Sequence, residues 1–421
     1  MSIGIDQKNR FLQVQLLFGR GTSKHRGDNL EHPLLQSYGP LEGWHILLVI
    51  GLISIGFFTY QVQKATRLVM LGSSDDRFDS WSTRISEFIS GWLFQKKVLR
   101  DKVAGTMHVL MFWGFLMLAS DMLDLATANA FSGKVLPAIL VGPWNGMVEL
   151  GYFMALVGCV SALTRRVVFT PEKLKGKSQL EGNVILLLIF TITTTSFMVE
   201  SAESPSSFWE PLGYWFSEQG LSEQTVILSY WAHMLAISVF LFLIPLSKHM
   251  HLVMAVPNVF FHDAGPMARM RPLATGDDGK AVPLEELDID SFGVSTYNQY
   301  SWRQLIDGWS CTSCARCQDV CPAYASGKGL NPMQVIHDVR NYANDHAPIL
   351  LSGGQPDETM LERITEEAVW ACTTCNACVD VCPLYIEHVP KLTDLRRNAM
   401  METMEYPEVL NTAMGNIESA S

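Results

Sequence analysis

Residues 229–257 read SYWAHMLAISVFLFLIPLSKHMHLVMAVP, and they separate two parts of the chain that differ in composition. The stretch begins as an apolar helix that carries His233 and meets Pro245, and then reaches His249 and His251. The sequence before it is typical of membrane spans, whereas the sequence after it contains two cysteine motifs. We therefore expect the border between a membrane part and a water-exposed part to lie here.

The composition also indicates a protein that is partly embedded in a membrane. The 421 residues are 48% hydrophobic and only 17% charged, and the mean hydropathy is positive. These values are unusual for a wholly soluble chain. The net charge of −11 leaves no electrostatic case for nucleic acid binding.

Five apolar stretches precede the cysteine motifs. Each approaches the ~20 residues that are needed to cross ~30 Å of hydrocarbon. The fourth is the shortest and the most polar, because it contains the run TITTTS. The predicted spans are 43–63, 103–125, 144–163, 183–199 and 226–246.

The charges of the loops predict an orientation, because Lys and Arg accumulate on the cytoplasmic side. Eight Lys and Arg residues lie between spans one and two and five between spans three and four, whereas the other two loops hold only Lys134. This distribution predicts that the end of span five is cytoplasmic. The basic tail before span one argues against this orientation, and an even number of spans would reverse it.

Eight of the nine cysteines follow residue 310, in two copies of C-x2-C-x2-C-x3-C-P. With this spacing three thiolates bind one [4Fe–4S] cluster, and the fourth cysteine ligates the other cluster. Zinc is the alternative, but zinc sites usually show paired C-x2-C knuckles. The predicted ligands are Cys311, Cys314, Cys317 and Cys382 for one cluster, and Cys372, Cys375, Cys378 and Cys321 for the other.

Two such clusters held close together suit sequential one-electron transfer, and they require a reducing compartment. No open coordination position is evident, which argues against substrate chemistry at either cluster. The remaining cysteine, Cys159, lies within span three and is predicted to be a small buried hydrophobic residue.

Histidines in or near the spans are candidate ligands of b-type haem, because ionisable side chains in a membrane usually have a function. His108 and His251 lie toward the cytoplasmic side and are predicted to share an inner haem. His45 and His233 lie toward the outside and are predicted to share an outer haem. The alternative is that each is only interfacial or hydrogen-bonded. His249 competes with His251, but it should face elsewhere on a helix.

Five further histidines receive that simpler interpretation, because they lie outside the spans. They are His25, His32, His262, His337 and His346.

Several carboxylates lie toward the outer ends of the spans. They either cap helices at the membrane surface or accept protons from a quinol, whose oxidation needs a base beside a one-electron carrier. Asp121 and Glu149 are the best candidates for the second role. The full set is Asp121, Asp124, Glu149, Glu200 and Glu203.

Composition predicts the domain boundaries. Residues 262–290 are rich in Gly, Pro, Asp and Glu, as linkers are. Within the cysteine module, residues 332–344 and 357–369 are predicted to be helical. The predicted parts are a polar tail (1–40), a five-span cytochrome b domain (41–257), a linker (258–291), a double [4Fe–4S] domain (292–405) and a C-terminal tail (406–421).

Residues 233–251 resemble the last span of the nitrate reductase gamma-subunit family of dihaem cytochromes b. That resemblance implies that His233 and His251 are haem ligands. Residues 107–118 around His108 resemble the second span of the same family, but Leu118 stands where that family has a further histidine. The outer haem therefore uses His45 or is missing.

The module from residue 301 to residue 400 is similar to the C-type polypeptide of heterodisulfide reductase. The whole layout resembles a fusion of the E-like and C-like polypeptides of that enzyme, and also the front half of the membrane oxidoreductases that link menaquinone to electron-transfer flavoprotein. Ala315 and Asn376 stand where glycine is common in the family. No CCG domain follows Met400, so the catalytic cluster of such enzymes is expected elsewhere.

The expected fold is an all-α bundle of five transmembrane helices followed by a mainly α, ferredoxin-like dicluster domain. The expected role is that of an electron-transfer subunit of a respiratory complex in a prokaryotic cytoplasmic membrane, with the clusters on the cytoplasmic side. Electrons would pass between menaquinone or another quinone and a cytoplasmic partner of the CCG, flavoprotein or hydrogenase type. The alternatives are a self-sufficient quinone reductase served by a diffusing flavoprotein or ferredoxin, and a redox sensor.

Overall fold

The computed structural model describes residues 33, 34, 36–130, 138–169, 177–203, 205–265, 270, 272, 273, 282, 283, 286 and 292–420. A small antiparallel hairpin of β1 (Ser37–Tyr38) and β2 (Leu41–Glu42) pairs Ser37 with Glu42. The helices are α1 (Gly43–Val69), α2 (Trp81–Phe88), α3 (Lys102–Ala130), α4 (Ala138–Val167), α5 (Lys177–Glu200), α6 (Pro211–Glu218), α7 (Glu223–Leu243), α8 (His251–Phe260), α9 (Trp302–Ser310), α10 (Arg316–Asp319), α11 (Pro322–Ala325), α12 (Pro332–Asp345), α13 (Ala347–Leu351), α14 (Met360–Ile364), α15 (Glu366–Ala371), α16 (Ala377–Val381), α17 (His388–Met401) and α18 (Val409–Ala420).

Shorter helical turns join some of these helices. A π-helical turn, Ile89–Leu93, follows α2, and 3-10 turns occur at Val98–Arg100, Ser201–Glu203, Ile244–Leu246, Lys248–Met250 and Tyr297–Gln299. The chain divides into two compact units. The first comprises Met1–Thr59 and Val98–Leu243, and the second comprises Tyr60–Lys97 and Ile244–Ser421. The domain boundaries given above stay a prediction.

Within the described residues, five helices are long and apolar enough to cross a membrane, which confirms the predicted fold class. Helices suit this environment because they satisfy every backbone polar group within one segment. Their bounds are Gly43–Val69, Lys102–Ser120, Leu140–Val167, Gln179–Glu200 and Glu223–Leu246.

Glycines allow α3 and α4 to pack closely in the first unit. A Cβ atom on Gly114 would lie 2.7 Å from the carbonyl oxygen of Gly151, and one on Gly158 would lie 2.8 Å from that of Met107. The earlier residue of α3, Met107, meets the later residue of α4, Gly158, so the two helices are antiparallel. Small residues at such crossings let the helix backbones approach each other in a membrane.

In the polar fourth span, four of the five hydroxyl groups of the run at residues 191–196 are satisfied within the helix, and Thr194 is the exception. Thr191, Thr193, Thr195 and Ser196 each donate a hydrogen bond to the carbonyl oxygen four residues earlier, at 2.6 to 3.0 Å. A hydroxyl that is bonded in this way imposes little desolvation cost.

The core of the second unit is built around α9, α12 and α17. Tyr297, Tyr300, Leu305 and Val339 are completely buried there, and the Tyr297 hydroxyl donates to the carbonyl oxygen of Leu68 near the end of α1. The cysteine loops lie on this core, so its side chains determine where the thiols are placed.

The helix predicted at residues 357–369 is wrong in one respect, because two helices occur there. Thr359 and Glu362 form a capping box at the start of α14, and Thr365 caps α15 with a φ of 76°. The Thr365 side chain accepts a hydrogen bond from the backbone N–H of Ala368, which stabilises the start of a second helix.

Candidate functional site

Four cysteines of the first predicted set line one cavity of the second unit. Cys311 follows the last residue of α9, Cys314 and Cys317 belong to the loop and the short helix α10, and Cys382 follows α16. The fold therefore brings Cys382, from the second motif, to the three cysteines of the first motif.

The remaining four cysteines are also close together. Burial raises the pKa of Cys378 to about 12, and the nearby thiols of Cys372, Cys375 and Cys321 contribute to this rise. Cys321 and Cys372 also belong to the same packed cluster of side chains. The fourth cysteine of each motif thus lies with the first three of the other.

The two cysteine loops repeat one backbone conformation. Ser313 and Ala315 have φ values of 56° and 61°, and Thr374 and Asn376 in the second loop have 53° and 59°. This left-handed conformation is the physical reason why glycine suits the positions of Ala315 and Asn376. Three cysteines of each loop lie close together in this conformation.

The surroundings of the thiols fit an iron–sulfur cluster. Burial raises the pKa of Cys311 to about 11 and that of Cys382 to about 12, so a bound cationic centre is needed to stabilise their thiolates. No group of three or more His, Cys, Asp or Glu side chains in the described part of the chain is arranged to hold a single metal ion. A cubane suits the cavity better, because its four thiolates surround a cluster instead of one ion.

Two histidines beside the first cavity were missed by the sequence analysis. The Nε2 atom of His337 lies 3.7 Å from Sγ of Cys311 and 3.0 Å from Oγ of Ser313. His388 lines the cavity, and its Nδ1–H donates to the carbonyl oxygen of Ile386. Burial lowers the pKa of each histidine to about 4, so both are neutral at pH 7. Their sequence context contains no signal for this placement.

A network of buried charges supports the first cavity. Arg303, Asp307 and Lys391 are completely buried, and Arg303 donates to Asp307 at 2.8 Å. Lys391 donates to the other oxygen of Asp307, and Glu387 pairs with Arg77 at 3.0 Å. Burial opposes ionisation of Asp307, but Lys391 and Arg303 lower its pKa to about 2. The network connects α9 to α17, so it holds both sides of the cavity.

His251 begins α8, which packs against α9 in the second unit. The Oγ of Ser310 donates to the carbonyl oxygen of Met254 at 3.0 Å, and Ser310 immediately precedes Cys311. The Nδ1 atom of His251 lies 2.8 Å from the carbonyl oxygen of Lys248, so this nitrogen must carry the proton. Its Nε2 atom therefore has a lone pair that can bind a metal.

His249 has a different environment from the one expected. It belongs to a 3-10 turn and not to the same regular helix as His251, and its Nδ1 atom lies 3.0 Å from Oγ of Ser247. The two imidazole centroids are 5.9 Å apart, with their planes tilted by 47°. The two rings are therefore distinct candidates.

His233 shows the same proton arrangement as His251. In the first unit, its Nδ1 atom lies 3.1 Å from the carbonyl oxygen of Ile192 and 3.1 Å from Oγ1 of Thr195. The Nδ1–H therefore donates, and Nε2 has the lone pair that a haem iron would bind. The threonine-rich span α5 thus supplies the partners of His233.

His45 shows the opposite arrangement. Its Nδ1 atom accepts from the backbone N–H of Glu42 at 3.2 Å, and its ring stacks on Trp44 at 3.6 Å. Its neutral ring therefore carries the proton on Nε2. His108, near the start of α3, lies parallel to the ring of Phe112, with the centroids 6.5 Å apart. His108 belongs to the first unit and His251 to the second.

Contacts along α1 and α7 place His45 and His233 toward the same end of the first unit. Trp231 donates to the hydroxyl of Tyr38 at 2.8 Å, and Phe57 stacks on Phe242 at 4.0 Å. The two helices therefore run in the same direction. His45 lies about twelve residues before Phe57 and His233 about nine before Phe242, so the two histidines differ in level by only ~4.5 Å. Common depth is what a shared outer haem requires.

Glu149 acts as a helix cap. It is 3% exposed, and its two carboxylate oxygens accept from the backbone N–H groups of Leu212 and Gly213 at 2.6 and 3.3 Å. These are orphan donors at the start of α6. This geometry favours capping over proton acceptance for Glu149. The side chains of Asp121, Asp124 and Glu203 lie outside the described residues.

Cys159 is buried in the first unit, and its thiol donates to the carbonyl oxygen of Leu186 at 2.9 Å. Its neighbours Ile185 and Ile189 are apolar. It has the surroundings of a small core residue.

Residues 303–383 match the family model described as "4Fe-4S dicluster domain". The chain is 28% identical to the "EtfAB:quinone oxidoreductase" of Syntrophomonas wolfei, over 89% of this chain and 57% of that protein. It is 26% identical to the "Probable iron-sulfur-binding oxidoreductase FadF" of Bacillus subtilis, over 89% of this chain and 58% of that protein.

A shorter similarity covers the cysteine part alone. The C-type polypeptide of the "Ferredoxin:CoB-CoM heterodisulfide reductase" of Methanosarcina mazei is 32% identical over 24% of this chain and 53% of that protein. The chain thus spans a little more than half the length of these curated relatives. No solved structure matches it.

These similarities and the fold agree on a coarse assignment. The chain is a multi-pass membrane protein with a dicluster domain that supports two [4Fe–4S] clusters. Its relatives include the "Probable membrane-anchored ferredoxin" of Chromohalobacter salexigens, 34% identical over 31% of this chain and 23% of that protein, which supports an electron-transfer role.

Proposed function

We propose that this chain is the electron-transfer subunit of a respiratory complex, passing electrons between a quinone pool and a cytoplasmic redox partner. The carriers would be two b haems and two [4Fe–4S] clusters. The observation that carries the proposal is the packing of α8 on α9, because it joins a candidate haem ligand to a candidate cluster ligand.

The contact between α8 and α9 brings the candidate haem ligand His251 near the candidate cluster ligand Cys311. His251 and Met254 are three residues apart in α8, which corresponds to ~4.5 Å along the axis. Met254 accepts the hydrogen bond from Ser310, the neighbour of Cys311. An electron leaving a haem at His251 would therefore have the first cluster close by.

The clusters would be held by thiolates from both motifs. Cys311, Cys314, Cys317 and Cys382 would bind the first cluster, and the cavity they share supports this set. The mutual proximity of the other four supports the second cluster. Each cluster supplies one-electron chemistry, and the chain's residues hold the two clusters side by side. The ligands of the second cluster would be Cys372, Cys375, Cys378 and Cys321.

The haems would be held by histidines in two layers. His233 and His251 are the better prepared ligands, because their Nδ1–H groups donate to carbonyl oxygens and leave Nε2 available. His108 would be the partner of His251. His45 would join His233 only after giving up its bond from Glu42, since its Nε2 atom now carries the proton.

The quinone would be menaquinone or another quinone that reacts near the outer haem. A base must accept the protons of a quinol. Asp121 is the better candidate, because Glu149 already accepts two backbone hydrogen bonds. Electron flow inward would then release protons outside.

The basic loops support an orientation with the clusters on the cytoplasmic side of a prokaryotic inner membrane. Arg77 and Arg84 are buried in hydrogen-bonded pairs, so they contribute less than the exposed basic residues of the same loop. The remaining six Lys and Arg residues still exceed the single Lys134 of the opposite loops.

The cytoplasmic partner would be a flavoprotein, a CCG-type polypeptide or a hydrogenase module. The similarity to a relative named for EtfAB and quinone favours the flavoprotein. The same similarity supports the second candidate function, a self-sufficient quinone reductase served by a diffusing flavoprotein or ferredoxin.

The decisive experiment is a cofactor count on the purified full chain, by pyridine haemochrome and iron determination. Two haems and about eight cluster irons per chain are expected from two cubanes. Absence of a haem Soret band would overturn the haem part, and an iron content near half of that value would overturn the two-cluster part. Turnover of carrier and quinone by the chain alone would favour the second candidate.

A further inference from the structure

We propose that α2 and the π turn after it form a lipid-binding surface, on which the second unit rests against the bilayer. Trp81, Ile85 and Ile89 make up this surface, here termed the interfacial stripe. They are 51%, 47% and 41% exposed. The inference is independent of the proposed electron transfer.

The stripe has the spacing of one helix face. Residues four apart advance by ~40° around a helix, so Trp81, Ile85 and Ile89 lie within an arc of ~80°. Ser82 and Ser86 are exposed outside this arc. Thr83 lies ~160° from the middle of the arc and is also exposed, so an apolar face lies opposite a polar one, as in helices that lie in a membrane interface.

Arg84 and Phe88, which lie beside one edge of the stripe, attach α2 to the rest of the second unit. Arg84 is 2% exposed and donates to the carbonyl oxygens of His262 and Asp79 at 2.6 and 2.7 Å. The ring of Phe88 meets that of Phe260 edge-on, with the centroids 5.7 Å apart. The stripe therefore faces outward because α2 is docked in one rotation.

Chain continuity identifies lipid as the occupant. One membrane helix ends at Val69 and the next begins at Lys102, so residues 70–101 must leave and re-enter the same face of the bilayer. Exposed Phe78 and Phe94 extend the apolar surface at its two ends, at 60% and 59% exposure. Aromatic residues concentrate at the membrane interface, where an apolar ring meets polar headgroups.

The positive charge of Lys96, after the π turn, agrees with a surface that contacts lipid headgroups. Lys96 is exposed three residues after the π turn ends at Leu93, and no acidic residue occurs between Phe88 and Arg100. A basic residue beside an apolar stripe favours anionic headgroups. A segment of this kind would hold the cysteine-bearing unit against the bilayer in addition to the spans.

Site-specific photo-crosslinking tests the proposal on the full chain. Benzoylphenylalanine is incorporated at Trp81, Ile85 or Ile89, and at Thr83 or Ser86 as matched controls on the same helix. Each variant is reconstituted in nanodiscs of phosphatidylethanolamine and phosphatidylglycerol, and its iron–sulfur absorbance is checked before illumination. Adducts are identified by mass spectrometry.

Lipid adducts are expected at the three stripe positions, several-fold above those at Thr83 and Ser86. Equal lipid labelling at all five positions would overturn the proposal, because the helix would then have no lipid-facing side. Peptide adducts to a copurifying polypeptide at the stripe positions would overturn it in favour of a protein-docking face. The same scan in nanodiscs of phosphatidylcholine alone distinguishes apolar insertion, which persists, from headgroup attraction, which is lost.

Discussion

The Nε2 atom of His337 lies 3.7 Å from the Sγ atom of Cys311, although 26 residues separate them in the chain. Toward a cluster thiolate this nitrogen would donate its proton. Hydrogen bonds to the sulfurs are one of the protein's means of setting a cluster potential.

Replacing His337 by Leu should therefore lower the potential of the first cluster. When present, the N–H donor stabilises the reduced cluster, which is the more negative form, so its loss makes reduction less favourable. A tenfold change in the equilibrium between oxidised and reduced cluster corresponds to ~59 mV for one electron. EPR-monitored redox titration measures the shift. His346→Leu is the control, because His346 pairs with Glu358 and packs against the ring of Tyr342. Equal shifts in both variants would contradict the prediction.

Serine variants of the cysteines should fall into two groups that cross the motifs. Cys314→Ser and Cys382→Ser should alter the same EPR signal, because both side chains line one cavity. Cys375→Ser and Cys321→Ser should alter the other signal. If Cys314→Ser instead shared its phenotype with Cys321→Ser, each motif would hold its own cluster.

His251→Ala should lose one haem, whereas His249→Ala should keep both. The reason is that the carbonyl oxygen of Lys248 fixes the proton of His251 on Nδ1 and leaves Nε2 available, whereas the Ser247 hydroxyl beside Nδ1 of His249 can donate or accept and does not fix its tautomer. Pyridine haemochrome per chain is the measurement. Retention of full haem by His251→Ala, with loss in His249→Ala, would reverse the assignment.

Ala315→Gly should stabilise the first cysteine loop. Ala315 has a φ of 61°, where a Cβ atom costs ~1–2 kcal/mol and glycine avoids that cost. Ala377→Gly is the matched control, because Ala377 begins the helix α16, and it should destabilise by ~0.5–1 kcal/mol. Thermal loss of iron–sulfur absorbance compares the two. A lower midpoint for Ala315→Gly than for the unaltered chain would refute the prediction.

Asp307→Asn should destabilise the second unit by ~3–5 kcal/mol, because it leaves the buried cations Arg303 and Lys391 without their anion. Asp345→Asn should cost only ~0–1 kcal/mol, since Asp345 pairs with Arg363 at the surface and its side chain is 58% exposed. Denaturant unfolding of the full chain in detergent, followed by iron–sulfur absorbance, compares the two. Similar losses would show that the buried network is not a principal support.

Spans and cluster type could be predicted from local pattern. Apolar runs of sufficient length are visible in any window of the chain, and the cysteine spacing lies within eleven residues. The left-handed residues of the loops were indicated only indirectly, by Ala315 and Asn376 at positions that are often glycine in the family.

The chain's residues alone thus determined that five helices can cross a membrane and that two cysteine loops follow them. Only the tertiary structure decided which distant side chains meet: His337 beside Cys311, Met254 beside Ser310, and Glu149 beneath α6. The physical reason is that hydropathy and ligand spacing act over a few residues of one segment. Contacts such as these depend on how whole helices pack, and 26 to 63 residues separate the partners.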